Sequence, residues 1–294
     1  MIEIKNVLIL GAGTLGSRIG LQAAISNYNV VVYDIHKSAL QQSLKVMEKV
    51  LKYAAKMRMI NEEDKPQILS RIKFTTNARD AVKDADIISE SVTEEPSIKE
   101  KVWKQFGELA PGKTIFTTNT SYLLPSQFAT ISGRPEKFCA FHFHDVFTAR
   151  VVDVMPHTGT HPDIIPLLFN FGKKLSQVPV LVKKESPGYI FNFMLMALIG
   201  AAGRLKTRDI GSIEDIDKSW MVNFNMPMGP FGILDNIGLD TAWHVTKDRD
   251  DGASKSFATL LKTYVDQGKL GEKSGEGFYK YPNPAYKNSD FLTR

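Results

Sequence analysis

The sequence predicts an α/β fold, in which a doubly wound, mostly parallel β-sheet is followed by a smaller all-α C-terminal domain. Short apolar runs alternate with helical segments over residues 1–185, the pattern of a parallel sheet with crossover helices. A polar segment containing Pro187 and Gly188 ends this pattern, and apolar residues then recur at helical spacing. A chain of 294 residues also exceeds the usual size of one domain. We therefore predict domains over residues 1–185 and 186–294.

Eight strands are expected in the first domain, each from a short apolar run bounded by polar or turn-forming residues. The runs cover residues 5–10, 29–33, 72–75, 85–91, 113–118, 137–143, 150–155 and 178–183. In the second domain the helical spacing is carried by Ile190, Met194, Leu195, Leu198 and Ile199.

Composition narrows the class of protein. The chain is 43% hydrophobic and 23% charged, which is ordinary for a soluble globular protein. A net charge of +5 without a dense Lys/Arg run gives no reason to expect a nucleic-acid partner. The single cysteine, Cys139, excludes an internal disulfide, and the sequence contains no signal-peptide pattern or membrane-spanning stretch. We expect a cytoplasmic protein with no membrane partner.

A glycine fingerprint joins the first strand to the first helix. It reads Gly11-Ala12-Gly13-Thr14-Leu15-Gly16, and Asp34 follows 23 positions after Gly11, at the end of the next apolar run. Gly11 would make the tight turn, Gly13 would let the backbone approach a pyrophosphate, and Gly16 would let the helix pack closely. The acid would accept from ribose hydroxyls and repel a 2′-phosphate. The pattern favours a Rossmann-type NAD site over an ordinary glycine-rich turn.

The helix after the second strand carries an unusual row of lysines. Lys45, Lys49, Lys52 and Lys56 share one face, beside an apolar stripe of Leu40, Leu44, Met47 and Leu51. Like charges at this spacing destabilise a helix unless water or an anion screens them. The row is either a solvated face or a dock for a polyphosphate group of the substrate, with Lys52 and Lys56 as candidate contacts.

Polar residues near the carboxyl ends of strands are the candidates for chemistry, since ligands of open α/β sheets bind there. Asn119 and Ser121 follow the fifth strand, His142 and His144 lie at the end of the sixth, and Asp153 lies in the seventh. Each has a structural interpretation as well, as a packed strand histidine, a surface carboxylate or a turn cap. The two histidines share a strand face, but no third ligand follows at convincing spacing, so we expect no metal.

Several ordered motifs resemble the 3-hydroxyacyl-CoA dehydrogenase family over nearly the whole length. They are the glycine fingerprint and residues 90–94, 119–121, 141–143, 187–192, 228–231, 235–240 and 275–279. The resemblance implies an NAD-dependent oxidoreductase that forms a homodimer through its helical domain. It implies that His142 is catalytic, that Ser121 and Asn192 contact the substrate, and that Glu94, Lys99 and Asn119 contact the cofactor.

The sequence departs from the family near the expected substrate. The family orients its histidine with a glutamate 12 residues onward, whereas Asp153 lies 11 residues after His142. Because a one-residue shift in a strand reverses the face, the missing residue must lie in the intervening loop if Asp153 is to reach the histidine. Residues 143–146 read Phe-His-Asp-Val where the family usually has Phe-Phe-Asn-Pro, and Tyr122 replaces a common serine. Because these changes cluster around the expected substrate and not the cofactor, they bear on which substrate is bound more than on which type of reaction is catalysed.

The first hypothesis is hydride transfer between NAD and a 3-hydroxyacyl-CoA, with His142 as general acid/base. Asp153 would orient the ring and raise the pKa of His142. One alternative is a small free hydroxy, keto or diketo acid as substrate, since relatives resembling gulonate dehydrogenase and lambda-crystallin share the pattern. The other is a non-catalytic NAD-binding or structural protein, against which the joint presence of Ser121, His142 and Asn192 argues.

Overall fold

The computed structural model describes residues 3–247 and 252–293, and the chain divides into two compact units, Met1–Ile190 and Phe191–Arg294. The division lies five residues beyond the expected boundary at 185/186. The Pro-Gly segment stays with the first unit because it is hydrogen-bonded to it. The Gly188 N–H donates to the Ser121 carbonyl at 3.1 Å, and the Tyr189 hydroxyl donates to the Thr120 carbonyl at 2.8 Å.

The first unit is built on one eight-stranded sheet in the order β3-β2-β1-β4-β5-β6-β7-β8. The strands are β1 Asn6–Leu10, β2 Asn29–Tyr33, β3 Ile72–Thr75, β4 Ile87–Glu90, β5 Ile115–Thr118, β6 Phe138–Phe143, β7 Val151–Pro156 and β8 Val178–Leu181. Neighbouring strands are parallel except β6 and β7, which pair antiparallel. The predicted doubly wound, mostly parallel sheet is confirmed. Its strand order reverses at β1, which opens a crevice at the carboxyl ends of β1 and β4.

Helices cover both faces of this sheet, which explains why its central strands are continuously apolar. They are α1 Thr14–Ile25, α2 Lys37–Lys56, α3 Lys65–Ser70, α4 Ala78–Val82, α5 Pro96–Leu109, α6 Ser126–Ala129 and α7 Ile164–Lys174. In β1, Val7 and Ile9 belong to one buried cluster and Leu8 and Leu10 to the other, as the two-residue period of a strand requires.

The second unit contains the helices α8 Phe191–Thr207, α9 Ile213–Phe224, α10 Pro230–Ile237, α11 Leu239–Thr246 and α12 Gly252–Asp266. The predicted all-α character is confirmed, and its core includes the fully buried Phe231 and Leu234. Asp217 of α9 accepts hydrogen bonds from the backbone N–H groups of Phe231 and Gly232 at 2.8 and 3.0 Å. The side chain of one helix thus caps the first turn of another. Within the described ranges, no helix has the length and apolar character needed to cross a bilayer.

Candidate active site

The glycine fingerprint lies at the crevice and has the geometry of a dinucleotide loop. Gly11 has a φ of +100°, and a Cβ added there would lie 2.6 Å from the Ser91 carbonyl oxygen. A Cβ added at Gly16 would lie 2.1 Å from the Gly11 carbonyl oxygen, so helix α1 can pack this closely only with glycine. At Gly13 no described atom lies within 4 Å of an added Cβ, which leaves that side of the loop open. A pyrophosphate can approach the amino end of α1 there, beside Thr14 and Leu15.

Asp34 is fixed at the carboxyl end of β2, beside this loop. Its two carboxylate oxygens accept the backbone N–H groups of Ala12 and His36, each at 2.9 Å. The carboxylate is therefore tied directly to the fingerprint, at the place where a dinucleotide presents its adenosine ribose. The glycine loop and the acid together fit NAD.

A buried ion pair supports Glu94, the acid expected to contact the cofactor. The Lys99 ammonium lies 2.6 Å from a carboxylate oxygen of Glu90 and 3.3 Å from one of Glu94. Burial opposes the charged form of Glu94, but hydrogen bonds from Thr120 and the lysine charge lower its pKa. The Lys99 side chain is only 1% exposed, so it has almost no surface for the cofactor contact that the resemblance implied. Lys99 instead holds Glu94 in place.

His142 lies at the centre of a chain of hydrogen bonds. Its Nε2 is 3.1 Å from the Ser121 hydroxyl oxygen, and its Nδ1 is 3.2 Å from Oδ2 of Asp153. The Tyr189 ring stacks on the imidazole, with the ring centroids 4.7 Å apart. A carboxylate can only accept, so Nδ1 carries the proton and the Nε2 lone pair faces Ser121. Ser121, His142 and Asp153 are thus brought together in one hydrogen-bonded series, an arrangement that suits acid/base chemistry.

The expected effect of Asp153 on the pKa of His142 is confirmed, but burial outweighs it. The hydrogen bond to Asp153 does raise the pKa of His142, but burial lowers it by more, and a nearby charge on His144 lowers it further. The net result is a pKa below the ordinary value of 6.5. The net pKa is lowered because the ring is almost wholly removed from water.

Asp153 reaches the histidine because the missing residue lies in the loop. His142 and Asp153 are direct partners in the antiparallel pairing of β6 with β7. The same Asp153 Oδ2 also accepts from His144 Nε2 at 2.8 Å. Burial opposes ionisation, but both histidine hydrogen bonds lower the pKa of Asp153.

The expectation that no third metal-ligand type joins the two histidines is wrong, since Asp153 contacts both. The spacing of the three groups is nevertheless that of a hydrogen-bonded cluster and not that of a zinc site. Tetrahedral zinc, with ligands at about 2.0–2.2 Å, would hold its ligand atoms about 3.3 Å or more apart. His144 Nε2 and Asp153 Oδ2 are 2.8 Å apart, at hydrogen-bond distance.

The remaining predicted residues are distributed over the fold. Asn119 Oδ1 accepts the Phe143 backbone N–H at 2.7 Å, so this side chain joins the end of β5 to the end of β6. Asn192 is the second residue of α8 and belongs to the second unit. The four lysines of α2, at 45, 49, 52 and 56, are all exposed. Leu44 of the predicted apolar stripe is 37% exposed, at the edge of the buried face, whereas Leu40, Met47 and Leu51 are buried.

Residues 6–186 match the family model for the NAD-binding domain of 3-hydroxyacyl-CoA dehydrogenase, and residues 188–281 match its C-terminal domain. The chain belongs to the 3-hydroxyacyl-CoA dehydrogenase family. It is therefore an NAD-dependent oxidoreductase, as the crevice geometry and the NAD-binding domain match together indicate.

Three relatives show how far this family likeness extends. A probable 3-hydroxyacyl-CoA dehydrogenase of Caenorhabditis elegans is 35% identical over 291 residues, covering 95% of this chain and 93% of that protein. The structure of a diketoreductase has a TM-score of 0.90 at 38% identity, covering 96% of this chain and all of the other. The (S)-3-hydroxybutyryl-CoA dehydrogenase of Ralstonia eutropha has a TM-score of 0.85 at 31% identity, with the same coverage of 96% and 100%.

Sequence reasoning missed three features of this 3-hydroxyacyl-CoA dehydrogenase-like site. In the sequence Glu90 is only the start of a motif, although it is the buried partner of Lys99. Tyr189 is only part of the Pro-Gly motif, although its ring covers His142. The bond from His144 to Asp153 was also missed, although the shared strand face of the two histidines was a usable signal.

Proposed function

We propose that this enzyme interconverts 3-hydroxyacyl-CoA and 3-ketoacyl-CoA, with His142 moving the proton of the reacting hydroxyl. The observation that carries the proposal is the hydrogen-bonded series of Ser121, His142 and Asp153, with heavy-atom distances of 3.1 and 3.2 Å. The series lies where β5 and β6 end, at the edge of the sheet where open α/β folds bind their ligands. NAD, held by the glycine loop with Asp34 and Glu94, supplies the hydride acceptor when bound.

The tautomer of His142 suits this role. With its proton on Nδ1 and directed to Asp153, His142 offers the Nε2 lone pair to a substrate hydroxyl placed beside Ser121. Burial lowers the pKa of His142, which keeps the ring neutral near pH 7 and ready to accept a proton. The Asp153 carboxylate then stabilises the imidazolium, which returns the proton in the reverse direction. We assign Ser121 to holding the substrate oxygen, and the same role for Asn192 rests on the family motif alone.

The lysine row of α2 supports a CoA ester as the substrate. Lys52 and Lys56 are exposed and lie one helical turn apart. A nucleotide polyphosphate would relieve the repulsion among the four like charges of this face. We therefore assign these two lysines to the phosphate groups of CoA.

The decisive experiment compares NADH oxidation with acetoacetyl-CoA and with free keto and diketo acids. We expect kcat/KM for acetoacetyl-CoA to exceed that for free acetoacetate by about 100-fold or more, because only the ester uses the nucleotide contacts. Equal or lower activity with the ester would contradict the CoA assignment. Lack of NADH oxidation with every carbonyl substrate, together with retained NADH binding, would favour a non-catalytic NAD-binding protein.

A second candidate is reduction of a free dicarbonyl compound. It is favoured by the 38% identity with a diketoreductase that acts on dicarbonyl compounds. It is also favoured by the position of the departures from the family, since His144 and Asp145 follow His142 within three residues and Tyr122 follows Ser121, the hydrogen-bond partner of His142. In the same screen, a preference for a diketo acid over acetoacetyl-CoA would establish this candidate.

We also propose that the helical domain pairs with a second copy of the chain. Within the second unit, Ile210, Val222 and Phe224 are each more than half exposed. Ile210 and Phe224 line a largely apolar cavity of about 680 Å³, together with Leu198, Leu205, Ile216 and Trp220. Exposed apolar surface of this kind marks an interaction site. Light scattering should give the mass of a dimer for the native protein and of a monomer for Phe224→Glu; a native monomer would refute the pairing.

A further inference from the structure

One buried carboxylate oxygen serves two histidines. Asp153 Oδ2 is 3.2 Å from His142 Nδ1 and 2.8 Å from His144 Nε2, and the two imidazole centroids are 4.6 Å apart. Asp153 is 1% exposed, and the histidine side chains are 4% and 8% exposed. Water therefore screens the three groups weakly, and each responds to the charge of the others.

The shorter of the two hydrogen bonds goes to His144. Both ring nitrogens that face the carboxylate must carry protons, because an ionised carboxylate only accepts. The acceptor strength of Oδ2 is consequently divided between two donors. A carboxylate held by His142 alone would stabilise a positive charge on that ring more strongly than the shared carboxylate does.

We propose that His144 is a positioning residue that acts through Asp153, dividing the carboxylate between two rings and limiting how firmly His142 holds its catalytic proton. The inference rests on the proposed role of His142 as general acid/base. It assigns a purpose to the departure at position 144, where the resembled family usually has phenylalanine. A phenylalanine would neither compete for Asp153 nor carry a charge.

Charged groups on several neighbouring elements also influence the pKa of His142. Asp153 of β7 and Glu94 after β4 raise the pKa of His142, whereas burial and a charge on His144 lower it. Tyr189 stacks on the ring and stays neutral, because burial raises its pKa well above 10. The other nearby groups are Ser121 after β5, the buried Cys139 of β6 with its raised thiol pKa, and Asp145 paired with Arg18.

His144→Phe removes both the competing hydrogen bond and the charge, and His144→Gln keeps a donor while removing only the charge. His144→Phe should therefore raise the pKa of His142 by about 1, whereas His144→Gln, which keeps the carboxylate divided, should raise it by less. Reduction needs protonated His142, so kcat/KM for reduction falls at alkaline pH. This fall should move to higher pH in the variants. A pKa higher by about 1 makes the protonated fraction, and hence kcat/KM, about tenfold larger at pH values well above the native pKa.

The test measures the pH profile of kcat/KM for NADH-dependent reduction, together with NMR titration of the His142 ring, in the native enzyme and both variants. The matched control is His161→Phe, which alters an exposed histidine of the same domain and should leave both readouts at native values. A rise in the pKa of His142 in His144→Phe that exceeds any rise in His144→Gln supports the proposal. An unchanged or lowered pKa in folded His144→Phe, or an equal rise in both variants, overturns it.

His144→Leu also removes the donor to Asp153, so it replaces His144→Phe and keeps the experiment decisive if the phenylalanine variant does not fold. The NMR titration needs no turnover, so it separates the role of His144 from the proposed function. If His142→Gln retained turnover, the proposed function would fail. If His142→Gln were inactive and the His144 variants titrated like the native enzyme, only the role of His144 would fail.

Discussion

His142 and Asp153 lie directly opposite each other on β6 and β7, and His142 Nδ1 is 3.2 Å from Asp153 Oδ2. Direct antiparallel partners project their side chains from the same face of a sheet. The pair therefore meets although the spacing between its members is one residue shorter than the family spacing. The shortening falls in the connection that contains His144 and Asp145. The side chains of both strands therefore keep the same faces of the sheet, and only the loop changes.

Asp153→Asn should reduce turnover by about 100-fold or more, because the positioned carboxylate stabilises the charge that forms on His142. Asp153 raises the pKa of His142 through its hydrogen bond and its charge, so the amide should lower that pKa. Reduction requires the protonated ring, so kcat/KM for reduction falls at alkaline pH. In Asp153→Asn this fall should move to lower pH. The measurement is the pH profile of kcat/KM. Native activity with a native profile would remove Asp153 from the mechanism, and NADH titration serves as the control for folding.

His142→Gln should lower kcat by about 1,000-fold, since glutamine cannot exchange a proton with the substrate in this pH range. Cofactor affinity should stay close to native, because the glycine loop and Asp34 follow β1 and β2, whereas His142 lies in β6. Steady-state kinetics and NADH fluorescence titration measure the two effects separately. A loss of turnover with an equal loss of NADH binding would indicate a misfolded site and would leave His142 without a demonstrated chemical role.

Much of the fold could be predicted because its signals are local. The eight apolar runs each became a strand, with bounds differing by at most a few residues, and the fingerprint predicted the turn at Gly11. A two-residue period and a glycine with positive φ are properties of neighbouring residues, so they can be read from short segments.

The environment of the candidate catalytic residues was harder to predict from the sequence. The contact between Glu90 and Lys99 depends on how β4 faces α5, and the bond between His144 and Asp153 depends on the antiparallel register. The lowered pKa of His142 depends on burial by many surrounding atoms. Motif spacing therefore predicted candidate residues, of which the fold brings Ser121, His142 and Asp153 together, but not the balance of charge among them.

Reversing the charge of the lysine row should distinguish a CoA dock from a solvated face. The double variant Lys52→Glu/Lys56→Glu should raise the KM for acetoacetyl-CoA by about tenfold, because like charges then meet the polyphosphate. The KM for a free keto or diketo acid should stay native. Lys173→Glu/Lys174→Glu, at the exposed end of α7, makes the same change in net charge and should leave both values native. An equal rise for both substrates, or no rise for the ester, would support the solvated face.

Asp217 should make the helical domain less stable as pH rises through the mildly acidic range. Burial raises its pKa to about 6, although the N–H groups of Phe231 and Gly232 and the Tyr279 hydroxyl all favour its charged form. The unfolded value is about 3.9, so the folded state binds more protons between about pH 4 and 6. The stabilisation from this proton is present below about pH 4 and is lost as pH rises through 6, by on the order of 3 kcal/mol. Urea unfolding at several pH values should show this fall in native protein and a smaller one in Asp217→Asn. The exposed Asp209→Asn should match native protein, and an identical slope in Asp217→Asn would disprove the assignment.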